Sequence, residues 1–131
     1  RDPVRLAVPG DADIASPAQA AHLPWAMEPA GNASRDWALH VCRSAGFEPE
    51  VRFEFDDVRA HADLVAAGHA VSLLPWLACV NAPAGIRWVP LPGDPHREVF
   101  TSARRDMAPR PAIEAVRSCL HDAAQALPLP G

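Results

Sequence analysis

Apolar and polar residues alternate over residues 4–8 and stop at Pro9-Gly10, which predicts a strand with one buried face followed by a turn. Ser16-Pro17 then opens a short helix to about Leu23, with Ser16 as its cap and Pro17 at the first helical position. The apolar run Pro24-Trp25-Ala26-Met27 reads as a second strand, and residues 28–33 as a loop. From Ser34 a helix follows on which Trp37, Val41 and Ala45 share a face with Ala38 and Cys42; Arg43 lies in its last turn and Gly46 ends it. Val51, Phe53 and Phe55 alternate with Arg52 and Glu54 as a strand with one buried face. Asp56 can cap a helix running to Ala67, where Gly68 stops it before the apolar strand Ala70-Val71-Ser72-Leu73-Leu74, closed by Pro75. A turn around residues 76–80 and a loop at residues 82–85 lead to a strand at residues 86–91. Pro92-Gly93-Asp94-Pro95 breaks the chain, residues 97–104 read as a strand carrying Val99 and Phe100, and Pro111 opens a last helix. Ile113, Val116, Leu120, Ala124 and Leu127 form its apolar stripe, and Pro128-Leu129-Pro130-Gly131 ends it. Strands alternating with helices in this order imply an α/β sandwich containing parallel strands.

Composition narrows the function classes more than it alters the fold. The chain has 131 residues and an apolar fraction of 49%, enough for a core. All 12 basic residues are arginine against 16 acidic ones, for a net charge of −4. The lysine-free, proline-rich composition fits GC-rich codon usage, and an acidic chain without a basic stripe is a poor nucleic-acid binder on its own. No apolar run approaches the roughly 18 residues of a membrane span, and the first residues lack the apolar core of a secretory signal. Cys42, Cys79 and Cys119 form no disulfide framework, so a cytoplasmic location is expected. Because the sequence starts at Arg1 instead of Met, it is expected to be a piece of a longer protein.

Asp63-Leu64-Val65-Ala66-Ala67-Gly68-His69-Ala70-Val71-Ser72-Leu73-Leu74-Pro75 resembles the helix-Gly-strand-Pro segment in the effector-binding domain of LysR-type transcriptional regulators. Ala45-Gly46-Phe47-Glu48-Pro49 is similar to that family's approach to a strand, and Gly85-Ile86-Arg87-Trp88-Val89-Pro90-Leu91 and Arg97-Glu98-Val99 to later strands. The chain departs from the pattern at His69-Ala70, where the family has an apolar residue and a second Gly. The resemblance implies a three-layer α/β sandwich like one lobe of a type II periplasmic-binding-protein fold, plus part of the other lobe. Residues 1–93 would be the second lobe with its hinge strands, and residues 94–131 the returning strand and C-terminal helix of an incomplete first lobe. The implied function is to sense a small-molecule effector, such as an organic acid, and to modulate DNA binding by a winged helix-turn-helix outside this sequence. A homo-oligomer is implied, and no enzymatic activity, cofactor or membrane. A solute-binding protein of the same architecture and an α/β enzyme fragment are the rival classes.

Ligands of open α/β sheets bind beyond the carboxyl ends of parallel strands, which selects the loops at residues 29–34, Asp56-Asp57 and Pro75-Trp76. Gly31, Asn32 and Ser34 lead into a helix N-terminus, whose free amides suit a carboxylate. Alternatively, Ser34 only caps its helix while Asn32 turns the chain. Asp57, Pro75 and Trp76 complete the candidate ligand-binding set. As a catalytic pair Asp56-Asp57 is poor, since adjacent side chains diverge and Asp is ordinary in a first helical turn. The six histidines have no metal-ligand spacing, Ser72 sits in no nucleophile elbow, and Cys42 and Cys119 lie by apolar stripes, so no catalytic or metal site is expected.

Overall fold

Alternation along β1 (Asp2–Pro9) sends Leu6 and Val8 into one apolar cluster and Ala7 into another, so this strand is covered on both faces. The computed structural model describes residues 1–128 of the chain. They fall into two compact units: Asp2–Arg97, and the stretch from Glu98 onward together with Arg1.

In the larger unit β2 (Pro24–Met27) and β3 (Glu50–Glu54) pair in parallel. β1 runs antiparallel to β4 (Ser72–Pro75), to β5 (Ile86–Val89) and to the short β6 (His96–Arg97). A parallel bridge between Trp25 and Val71 joins these two groups of strands. Two backbone hydrogen bonds make it, Ala26 N–H to Val71 O at 3.0 Å and Val71 N–H to Pro24 O at 2.9 Å. The Ser72 hydroxyl adds a buried bond to Ala26 O at 2.9 Å. The strand order is therefore β3-β2-β4-β1-β5, a mixed sheet in which the interior strand β1 is the antiparallel member.

Helices cover both faces. α1 (Ala33–Ser44) buries Ala38 and Cys42 in the cluster of Leu6, Val8, Trp25 and Met27. On the other face α2 (Val58–Ala66) and α3 (Trp76–Cys79) place Ala62, Val65 and Cys79 against Ala7 and Leu74. This is the three-layer α/β sandwich, and burying a side chain such as Leu6 stabilises it by about 2 kcal/mol. α1 and α2 end alike. Gly46 (φ +92°) and Gly68 (φ +79°) each follow the C-cap residue in the left-handed region. Their amides bond Arg43 O and Val65 O, and the next amides, of Phe47 and His69, bond Cys42 O and Leu64 O. Both glycines thus release the chain towards a strand as the sequence indicates.

Several local expectations need correction. Pro17–Ala20 is one 3₁₀ turn, and Ser16 makes no side-chain cap; Gln19 Oε1 instead accepts the Ala15 N–H at 2.6 Å. α1 begins one residue before Ser34 and is capped by Asn32, and α2 is capped by Asp57, not Asp56. In each pair both residues are good caps, and the backbone path decides which side chain meets the free amides. β4 is shifted to Ser72–Pro75 and β5 stops at Val89. The strand expected over residues 97–104 is only the dipeptide His96–Arg97, paired with Asp2 and Pro3. Beyond it the chain finds no partner strand among the described residues, and a strand without a partner leaves its backbone groups to water.

In the smaller unit Val99 and Phe100 are exposed, and α4 (Pro111–Ala126) opens with Pro111 and has no buried residue. Of the segment expected to terminate it, residues 129–131 lie outside the described residues.

Candidate functional site

β2, β3 and β4 all deliver their carboxyl ends to one rim of the sheet, and antiparallel β1 brings Val4 opposite Pro75 there. A cavity of about 460 Å³ opens at this rim within the larger unit, in the size range of small-molecule sites. Its polar wall includes Glu28 after β2, Asn32 and Ser34 at the start of α1, Asp56 after β3, and Arg97 on β6. Val4, Trp37, Val58, Leu73 and Pro75 make the apolar wall.

At the α1 end the roles of two neighbouring polar residues separate. Asn32 Oδ1 accepts the Ser34 N–H at 2.8 Å, and Asn32 O accepts the Asp36 N–H at 3.1 Å, so Asn32 is the structural cap. Helix geometry leaves the Ala33 and Arg35 amides without an intrahelical acceptor, and the helix dipole favours negative charge beside them. Ser34, on the first turn, lines the cavity. Arg35 turns away from the cavity wall. Its Nη1 donates to Glu28 O at 3.0 Å and pairs with the Glu54 carboxylate, tying the β2–α1 loop to the end of β3.

Asp57 Oδ1 accepts the Arg59 and Ala60 amides at 2.9 and 3.3 Å, which orients α2 and leaves the neighbouring Asp56 at the cavity. Behind that loop His61 is fully buried against the Phe55 ring, with centroids 4.6 Å apart. Its Nε2–H donates to Phe55 O at 3.0 Å, and Nδ1 is buried without a partner. Burial pushes the His61 pKa below its ordinary value, opposed by Glu28, the Phe55 bond, Asp57 and Asp56. The neutral ring thus acts as a strut under the Phe55-Asp56-Asp57 turn.

Asp2, buried outside the cavity lining, holds two elements at once. Oδ1 accepts the Leu77 N–H at 2.8 Å and Oδ2 accepts the Arg97 Nε–H at 2.6 Å. Arg97 lines the cavity, and its bond to Asp2 uses Nε and neither Nη group. The thiols of Cys42 and Cys79 are both pushed up to about 12, chiefly by burial, which keeps them protonated and unreactive.

Of the residues selected from sequence, the cavity brings together Asn32, Ser34 and Pro75. Gly31 lies in the turn ahead of the cap, Asp57 is committed to α2, and Trp76 packs edge-on against Trp88 at 6.0 Å. Glu28 and Arg97 are charged wall residues outside the three loops selected from sequence, and Asp56 lies in a selected loop from which the candidate set took Asp57 instead. Asp56 is the immediate neighbour of a selected residue, whereas nothing local marks Arg97, which reaches the rim only because β6 pairs with the start of β1. Among the described residues no group of His, Cys, Asp and Glu is placed to hold a metal ion, and no helix is long and apolar enough to cross a membrane.

Solved structures share this architecture. The regulatory domain of Synechocystis PCC6803 CcmR, in complex with 2-PG, aligns over 98% of this chain with a TM-score of 0.68 at 13% identity. A C206 mutant of Corynebacterium glutamicum OxyR aligns over 98% with a TM-score of 0.61 at 17% identity. HinK, a LysR family transcriptional regulator from Pseudomonas aeruginosa, aligns over 70% with a TM-score of 0.54 at 17% identity. The chain spans 65%, 46% and 34% of the lengths of these three. None of the curated proteins compared with it matches. Residues 1–125 match the family model of the LysR substrate binding domain, and the chain belongs to that family.

Proposed function

We propose that this chain is the effector-sensing part of a LysR-type transcriptional regulator. The observation that carries the reading is the cavity at the carboxyl ends of β2, β3 and β4, with the start of α1 in its wall, in a chain of this family. An organic acid places its carboxylate at the Ala33 amide and the Ser34 hydroxyl, where the helix dipole favours it. Asn32 and Gly31 shape that turn, Asp57 fixes the neighbouring helix, and Pro75 with Trp76 supports the far rim. Differential affinity for two conformations shifts their populations, and the shift passes to a DNA-binding segment outside these residues. The regulator works without turnover, as a homo-oligomer, in the cytoplasm where its DNA lies. Residues 1–93 serve as the second lobe with its hinge strands, and residues 94–131 belong to the first lobe. The complex of the CcmR regulatory domain with 2-PG supports small-molecule binding by this architecture.

The test uses a reporter driven by the complete regulator's target promoter. Ser34→Ala removes a hydrogen bond to a charged ligand without touching the cap, so the inducer concentration for half-response should rise about tenfold. An unchanged response midpoint removes the site from this cavity.

A further inference from the structure

We propose that the effector carries an amino group as well as a carboxylate, with the ammonium held by Glu28 and Asp56 and the carboxylate by Ser34 and Arg97. This rests on the cavity being the effector site and deepens that reading by naming the ligand's chemical class.

The inference comes from the charges of the wall. Neighbouring acids have their charge engaged: Glu54 pairs with Arg35, and Asp57 accepts two backbone amides. Among the described residues, the Glu28 and Asp56 side chains have no such partner, and both line the cavity. Arg97 is the one arginine in the wall, and its charge is already balanced by Asp2, whose side chain is 1% exposed. The wall therefore has a negative balance even though a helix N-terminus and a guanidinium form part of it.

A simple anion gains the α1 amides and the Nη groups of Arg97. It also strips water from the Glu28 and Asp56 carboxylates and returns nothing to them, which penalises binding. A ligand with an ammonium satisfies both ends. Trp37, Val58 and Leu73 supply the apolar surface for the carbon body between them. An amino acid with an apolar side chain meets all three requirements, and its size suits a cavity of about 460 Å³.

Calorimetry on the chain can use matched sets that share a carbon body: L-leucine, isocaproate and isoamylamine; L-phenylalanine, hydrocinnamate and phenethylamine. The amino acid of a set should bind at least about tenfold more tightly than its amine-free and carboxylate-free analogues. In the double variant Glu28→Gln, Asp56→Asn that preference should vanish, with the amine-free acid binding as tightly as the amino acid. A wild-type preference for isocaproate or hydrocinnamate that Ser34→Ala weakens overturns the amino-group inference and leaves the cavity as the effector site. An amino-acid preference that survives the double variant overturns the assignment to Glu28 and Asp56. Silence from every compound overturns the inference and the cavity reading together.

Discussion

Asn32 and Ser34 are both good helix caps two positions apart, and the fold divides their labour. Asn32 spends its side chain on the Ser34 amide, while Ser34, whose side chain is not the cap, lines the cavity. Asn32→Ala should therefore cost about 1 kcal/mol in urea unfolding, Asn32→Asp should restore most of it, and Ser34→Ala should change stability by only a few tenths. A larger loss in Ser34→Ala than in Asn32→Ala would contradict the cap assignment. This choice was not legible in Gly31-Asn32-Ala33-Ser34, because either side chain suits a cap and only the path of the backbone decides. Asp56 and Asp57 pose the same ambiguity and resolve it the same way, one residue later than the sequence suggests. His61 gives a pH signature. Its folded pKa lies below the ordinary 6.5 because burial disfavours the imidazolium. The folded form then binds fewer protons than the unfolded chain, so its stabilisation is present above 6.5 and is lost as pH falls from there through the folded pKa. Melting curves from neutral to mildly acidic pH should show that loss, and His61→Gln should make the slope shallower. An identical slope in the variant would assign the effect to other groups.

At the scale of elements, the strands and helices of the sandwich were readable where burial repeats with a period. Residues 4–8 announce a strand, though its pattern suggests one buried face where Leu6, Ala7 and Val8 are buried on both, and Gly46 and Gly68 mark the two helix ends. The antiparallel course of β1 was not readable, because strand direction is a property of the partner and Leu6 packs equally well in either sense. Residues 97–104 failed for a related reason. Val99 and Phe100 look like strand residues, but β1 offers only Asp2 and Pro3 to this stretch, so pairing stops at Arg97. Hydrogen exchange should separate these cases: amides of Leu6, Ala7 and Val8 should be protected up to global unfolding, and those of residues 98–104 should exchange rapidly. Protection of Val99 and Phe100 comparable to that of Leu6 would mean that a partner strand holds them. The Asp2 carboxylate can be weighed in the same way. Asp2→Ala removes the acceptor of the Leu77 amide and the anchor of Arg97, for a loss of about 2 kcal/mol, whereas Asp2→Asn keeps an acceptor for Leu77 and loses less.

At the scale of the molecule, the cavity wall is drawn from stretches that have no sequence neighbourhood in common: Val4, Glu28, Ser34, Asp56, Pro75 and Arg97. A loop-by-loop reading reaches Ser34, Asp56 and Pro75, stops one residue short of Glu28, and misses Val4 and Arg97, which arrive through antiparallel pairing. The smaller unit presents the opposite situation, a surface whose pattern was legible and which none of the described residues buries. Ile113, Val116 and Leu120 form a stripe on α4 and line one groove with Met107. Val116 and Leu120 remain 59% and 52% exposed, and Phe100 on the preceding segment is 80% exposed. Isolated exposed apolar residues are ordinary, but a contiguous helical stripe gains free energy from any apolar surface that covers it. The chain should therefore self-associate as its concentration rises, and light scattering over a dilution series should show the apparent mass climbing. Val116→Glu with Leu120→Glu places charge on the stripe at positions with no buried contact, so the variant should keep its fold by circular dichroism and lose the association. A constant monomer mass for the unaltered chain across the series would show that the stripe is too small or too dispersed to act as a sticky face. Association unchanged in the double variant would place the contact on another surface, such as the exposed edges of β3 and β5.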